Sequence, residues 1–400
     1  MHLNPVSNNP KIYFWANMLG SVSFLAPVMS LFYLHRGLVF ADFFILLLII
    51  VITMFIFEVP TAAFADRYGP KASMIFGQFL AILAAVLLIF ANTKMEFYFI
   101  SFLTGVLITF FSGVDEAFIY DSLKEEKKEK NMSKVWGKIQ SGVHIPAVLS
   151  VIVGALIAKD LTENQFLILI FIGLFFAIAK LVVLFMLKNP ATHYTKLKEQ
   201  TMFFHVGEGI KILKKNPVLL LVFMNETMVF VPLHIFNKFD QPFLIDNGLP
   251  VALLGVLYGV SSIIAYFLAR NIGFIEQKIP VKIVLGITGI AILFAYLSAA
   301  FIQNIYVAIL IFFILRLTNV IRYPIFSQIK NDYIPSGSRA TTLSLLSMID
   351  SFFDIIIFSS FALFANLGLS AIFIGCAIIV FIGLLFPVKL KSEIEQKTSP

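Results

Sequence analysis

The 400-residue sequence predicts an all-α membrane protein of about twelve transmembrane helices, with both termini on the cytoplasmic side. Composition is the first reason. Hydrophobic residues make up 59% of the chain, charged residues 13%, and 45 positions are Phe, which leaves too little polar surface for a water-soluble globule. Spacing is the second: apolar runs of about 20 residues, the length needed to cross the hydrocarbon, recur from Ile12 to Val388. Charge placement is the third, because about 23 of the 30 Lys and Arg fall in alternate loops. The net charge of +7 therefore reads as membrane orientation, not nucleic-acid binding. Runs this uniformly apolar also lack the in–out alternation of barrel strands.

Taken in order, the first six spans are expected near 12–34, 41–64, 72–92, 96–120, 138–158 and 165–187. The second six are expected near 217–237, 251–271, 281–300, 303–326, 340–364 and 368–388. Residues 1–10 lack the basic start of a signal peptide, and the run from Ile12 is too long for one, so it is expected to remain as a span. Basic residues fill the start, the loops near 66–71, 121–138, 188–215, 270–282 and 327–339, and the tail. The opposite loops hold Arg36, Lys94, Lys159 and Lys238. The longest connection gives three segments: a first half over 1–187, a linker over 188–216, and a second half over 217–400. In the linker Phe203, Val206, Ile210 and Leu213 recur at helical spacing opposite Glu208, Lys211, Lys214 and Lys215, which predicts a short amphipathic helix on the inner membrane surface. The single cysteine, Cys376, excludes an intrachain disulfide.

One turn organises the first half: Glu58-Val-Pro-Thr-Ala-Ala-Phe-Ala-Asp-Arg-Tyr-Gly-Pro-Lys71. Asp66 is expected to accept from the free N–H groups at the start of the next helix, Gly69 to make the tight turn, and Arg67 and Lys71 to hold it on the cytoplasmic face. With Asp66, Arg67, Gly69 and Lys71 in place, the stretch resembles the signature between helices 2 and 3 of the major facilitator superfamily of secondary transporters. Two positions depart: Ala62 stands where that family usually has Gly, and Pro70 where it usually has a basic residue. The resemblance implies two six-helix bundles related by an axis along the membrane normal, and it covers nearly the whole chain. A second run, Gly113-Val-Asp-Glu-Ala-Phe-Ile-Tyr-Asp-Ser122, together with Arg339-Ala-Thr341, resembles the inner helix ends of a bacterial branch of that superfamily.

The resemblance further implies a cytoplasmic gate. Asp66, Arg67, Gly69, Lys71, Glu116, Asp121 and Arg339 would lie near inner helix ends, where charge pairs form in one state and separate in another. Ionisable residues inside spans are costly and mark functional positions by default: Glu226 in span 7, Arg316 in span 10, Asp350 and Asp354 one turn apart in span 11. In the family fold helices 1, 4, 7 and 10 line the cavity, so Glu226 and Arg316 are expected to face it, with Asp350 or Asp354 reaching Arg316. A carboxylate beside an Arg then makes a switchable proton site. Asn17 in span 1 is a further candidate for substrate contact. Lys180, near the inner end of span 6, is expected to stretch toward the headgroups.

No phosphate-binding glycine loop and no His/Cys spacing for a metal is found, so neither cofactor, metal nor enzymatic activity is expected. The expectation is a bacterial inner-membrane secondary transporter, a monomer, moving a small solute with protons as coupling ion. Export of lipophilic or cationic compounds is the first choice, from the apolar, aromatic cavity helices. Uptake of a small metabolite, anionic if Arg316 meets it, is the second. A receptor or scaffold without transport is the alternative of a different class.

Overall fold

The computed structural model describes residues 6–190, 217–333 and 339–388. The amphipathic helix expected around 203–213 and the basic tail lie outside the described residues. Every regular element among the described residues is helical. Chain contacts divide it into two compact units: Met1–Lys198 with Pro250–Gly259, and Glu199–Leu249 with Val260–Pro400.

The first unit contains α1 (Asn9–Gly20), α2 (Met29–His35), α3 (Phe40–Tyr68), α4 (Pro70–Phe90), α5 (Lys94–Phe111), α6 (Val114–Glu125), α7 (Met132–Ser141), α8 (His144–Ile157) and α9 (Glu163–Phe185). The first span, expected as one helix over 12–34, is instead two helices separated by an irregular stretch. Gly20 and Pro27 flank that stretch, and neither favours a helix interior. Irregular backbone at membrane depth survives only where protein covers it. Here α8 supplies the cover: the Ser23 N–H donates to Ser150 Oγ at 3.1 Å. Gly154 makes that approach possible, since a Cβ there would fall 1.9 Å from the Phe24 carbonyl oxygen.

The second unit contains α10 (Pro217–Asp246), the remainder of α11 (Val251–Arg270), α12 (Ile272–Lys278), α13 (Val281–Phe301), α14 (Ile305–Tyr333), α15 (Arg339–Phe364) and α16 (Leu369–Leu385). Its strut is α10. Of the apolar window of α10, 72% is buried, against 50% for α13 and 22–39% for the other spanning helices. Helices α10 and α14 both outrun their expected spans. Lys238, placed in an outer loop by its charge, lies within α10, and Lys330, placed in an inner loop, lies within α14. At about 1.5 Å per residue, helices of 30 and 29 residues reach well beyond a hydrocarbon core of about 30 Å.

Among the described residues ten stretches are long and apolar enough to cross a membrane, and α16 is a shorter apolar helix. Lipid offers no hydrophobic driving force between helices, so close packing holds them together. In the second unit Leu219, Phe223 and Phe230 of α10 pack with Val284 of α13 and with Ile325, Phe326 and Ile329 of α14. Farther along α10, Phe236 and Phe243 pack edge-on and tilted against Tyr296 and Phe373.

Candidate functional site

Three consecutive side chains of α10 tie it to three helices. Successive residues of an α-helix point about 100° apart, so Asn225, Glu226 and Thr227 fan out in three directions. Asn225 Nδ2 donates to the carbonyl oxygens of Gly383 and Phe386, each at 2.9 Å, at the end of α16. Glu226 Oε1 accepts from Lys330 Nζ of α14 at 2.8 Å. The Thr227 hydroxyl donates to Asp350 Oδ1 of α15 at 2.5 Å. Glu226 Oε2 is buried and has no hydrogen-bond partner among the described residues.

A second ion pair lies farther along the same helices: Arg316 Nη1 of α14 is 3.4 Å from Asp240 Oδ2 of α10. The expected contact of Arg316 with Asp350 or Asp354 is therefore replaced. Arg316 meets Asp240, Asp350 meets Thr227, and Asp354 Oδ1 is buried without a hydrogen-bond partner among the described residues. The physical reason is helix length. Because α10 continues through Pro242, Asp240 comes opposite Arg316 on the neighbouring helix, where its side chain is only 1% exposed.

Arg322, like Asp240, has no exposed surface. Its Nη1 donates to the Leu285 carbonyl at 2.7 Å and to Thr288 Oγ1 at 2.9 Å, and its Nη2 to Asn225 Oδ1 at 3.2 Å. The guanidinium also lies 5.2 Å from the centroid of the Phe326 ring. Arg322 thus clips α13 and α14 to the residue that precedes Glu226.

In the first unit the signature turn is built differently from expectation. Helix α3 continues to Tyr68 and closes with the Gly69 N–H donating to the Ala65 carbonyl at 2.8 Å. Asp66 is therefore in the last turn of α3, exposed, and does not cap α4. Asn189 takes that part: its Oδ1 accepts from the Lys71 N–H at 3.1 Å. Gly69 has φ +89°, and a Cβ there would fall 2.7 Å from Asn189 Nδ2. Pro70 opens α4, where its missing N–H costs nothing. Lys71 Nζ donates to the Phe185 carbonyl at 2.8 Å, a cation on the negative end of α9. Arg67 is exposed and its guanidinium lies 5.3 Å from the Tyr68 ring centroid.

Of the remaining expected residues, Asn17 donates to Gln140 Oε1 of α7 at 3.1 Å. Glu116 is exposed and Asp121 half-buried on α6. The side chain of Arg339 lies outside the described residues. Lys180 does not extend past the end of α9. Its ammonium sits 4.5 Å above the Phe111 ring, and its Cδ lies against Gly20 at the end of α1. Side chains on a helix lean toward its N-terminus, which carries Lys180 away from the nearer end of α9. Beside it, the Tyr13 hydroxyl donates to Asp115 Oδ2 at 2.7 Å.

Membrane-length helices joined by carboxylate–cation pairs in their interior define a multi-pass helical membrane protein. The sequence profile of the Major Facilitator Superfamily matches residues 16–357, and the chain belongs to that family. It is 23% identical over 379 residues to YxaM, an uncharacterized MFS-type transporter of Bacillus subtilis (strain 168), with 90% of each chain covered. Its fold is similar to that of the nucleoside transporter NupG, with a TM-score of 0.72 at 14% identity over 100% of both chains. The D-xylose-proton symporter gives a TM-score of 0.66 at 14% identity, with 95% of each chain covered.

Proposed function

We propose that the chain is a proton-coupled secondary transporter of a small hydrophilic solute, working by alternating access in a bacterial inner membrane with both termini cytoplasmic. One observation carries the reading: Glu226 is a carboxylate bound on one oxygen by Lys330, with its other oxygen buried and unpartnered among the described residues. That second oxygen is where an exchangeable proton would sit. Protonation would remove the carboxylate bonded directly to the Lys330 ammonium, so the pair would separate in one state and form in the other. A coupling ion shifts the equilibrium only if its affinity differs between the two states, and such a pair supplies that difference.

The solute class follows from what surrounds the pair. Lys330, Thr227 and Asp350 gather hydrogen-bonding groups where α10, α14 and α15 meet, and about 21 Å farther along α10 and α14 Arg316 and Asp240 add a second charged pair, while Phe230 is buried in packing with other rings. Groups that can exchange these bonds for bonds to a ligand suit a polar solute, the class of those named for the nucleoside transporter and the xylose symporter. Uptake is thereby favoured over export. Export of a cationic compound stays as the second reading on one observation, the buried and unpartnered Asp354 oxygen one turn from Asp350. Asp66, Arg67, Glu116, Asp121 and Arg339 are proposed as the cytoplasmic gate, with Gly69 and Lys71 shaping the turn beside it and Asn17 as a solute contact.

The test is accumulation of radiolabelled nucleosides, pentoses and lipophilic cations by proteoliposomes carrying an inward-directed proton gradient. Gradient-dependent accumulation of a nucleoside or a pentose supports the reading. Expulsion of a lipophilic cation on imposing the gradient, with no polar compound moved, supports the export reading instead.

A further inference from the structure

A cavity of about 250 Å³ opens in the second unit where α13 begins and α16 ends. Its walls divide by chemistry. Leu285, Leu384 and Phe386 are apolar, Asn225 forms a polar floor, and Lys282 stands exposed in the first turn of α13. Helix α13 has no side-chain cap; the Ile283 N–H donates to the Pro280 carbonyl at 2.8 Å, and the N–H groups of Val281 and Lys282 ahead of it add the positive end of a 21-residue helix to the Lys282 charge. Behind the floor, Asn225 Oδ1 accepts from the fully buried Arg322 guanidinium. Positive charge therefore stands at the mouth and behind the floor, with hydrocarbon between them.

The surroundings place this cavity where lipid headgroups lie. Both α13 and α16 are apolar along their lengths and end there. Just before α13, Phe274 is 57% exposed on α12, with the Lys278 ammonium 4.4 Å above its ring, so a lipid-facing ring and a cation that seeks water stand side by side. The sequence after Val388 continues Lys389-Leu-Lys391.

We propose that this cavity binds one acidic phospholipid. Its phosphate would meet Lys282 and the first turn of α13, and its glycerol and first methylenes would lie against Leu285, Leu384 and Phe386. Gly286 provides the decisive handle, because a Cβ there meets nothing within 4 Å and a larger side chain would grow into the cavity.

Native mass spectrometry of the full chain in a neutral detergent, titrated with phosphatidylglycerol or with phosphatidylcholine of the same acyl chains, tests the proposal. The wild type should retain phosphatidylglycerol in preference to phosphatidylcholine. Gly286→Leu should remove the phosphatidylglycerol adduct while keeping the wild-type elution profile and melting temperature. Lys282→Gln, at an exposed position and so tolerated by the fold, should weaken phosphatidylglycerol retention about five-fold, the effect of one basic residue near an anionic surface, with phosphatidylcholine unchanged. Equal retention of the two lipids, a Lys282→Gln protein that binds like the wild type, or displacement of the lipid by millimolar inorganic phosphate would overturn it.

Discussion

Lys330 and Glu226 meet at 2.8 Å in the same register that brings Arg316 and Asp240 to 3.4 Å. The two acids are fourteen residues apart on α10 (226 to 240), and the two bases are fourteen apart on α14 (316 to 330). Fourteen residues is close to four helical turns, about 21 Å, so both acids share one face of α10 and both bases the facing side of α14. The helices run antiparallel and are clamped twice. The Glu226–Lys330 clamp is the more enclosed for its base, with side-chain exposures of 11% and 21%, whereas Arg316 is 33% exposed.

Removing one partner of an enclosed pair strands the other charge, at a cost of about 3–5 kcal/mol, while replacing both with apolar groups is often neutral. Lys330→Met alone should therefore lower the melting temperature of the purified protein in detergent. Combining it with Glu226→Met should restore most of the loss, and thermal unfolding of the single and double variants reads this directly. Equal destabilisation by the double variant would mean that the pair is not the source of the effect.

Arg322→Lys should be nearly as damaging as Arg322→Met. The planar guanidinium reaches the Leu285 carbonyl, Thr288 and Asn225 together, and a single ammonium on a shorter head cannot reproduce that fork. Each buried acceptor left unmet costs about 1–3 kcal/mol. The expected result is a large loss of monodisperse protein in size-exclusion chromatography for both substitutions.

Gly69→Ala should impair folding and transport through the backbone. A φ of +89° is open to Gly and strained for Ala, by about 1–3 kcal/mol. Asn189→Ala relieves the crowding at that position but not the strain, so Gly69→Ala/Asn189→Ala should melt no higher than Gly69→Ala. Recovery in the double variant would assign the effect to the Asn189 contact instead.

The ladder of clamps is half legible in the sequence, and the missing half has a common cause. Glu226 and Arg316 stand out because each interrupts an apolar run. Their partners do not, because Asp240 lies in Asn237-Lys-Phe-Asp-Gln-Pro242 and Lys330 in Gln328-Ile-Lys-Asn-Asp332, both polar enough to read as loops. The helices continue through these stretches, one of them past a proline, because the polar groups find partners across the interface. The fourteen-residue spacing from Glu226 to Asp240 and from Arg316 to Lys330 is the available signal. At the signature turn, helical periodicity does not show that Asp66 closes α3, and nothing local to Gly69 announces Asn189, 120 residues away (69 to 189). The broken first helix is marked only by Gly20 and Pro27, which an apolar run of that length masks.

The most direct test of proton coupling at Glu226 is proton flux into proteoliposomes, followed with an internal pH-sensitive dye while a transported solute is added outside. The wild type should acidify the lumen when the solute enters. Glu226→Gln should abolish the acidification while still exchanging labelled for unlabelled solute, because Gln keeps the shape and loses the titrating oxygen. Acidification by Glu226→Gln at the wild-type rate would contradict the account and move the proton to another group.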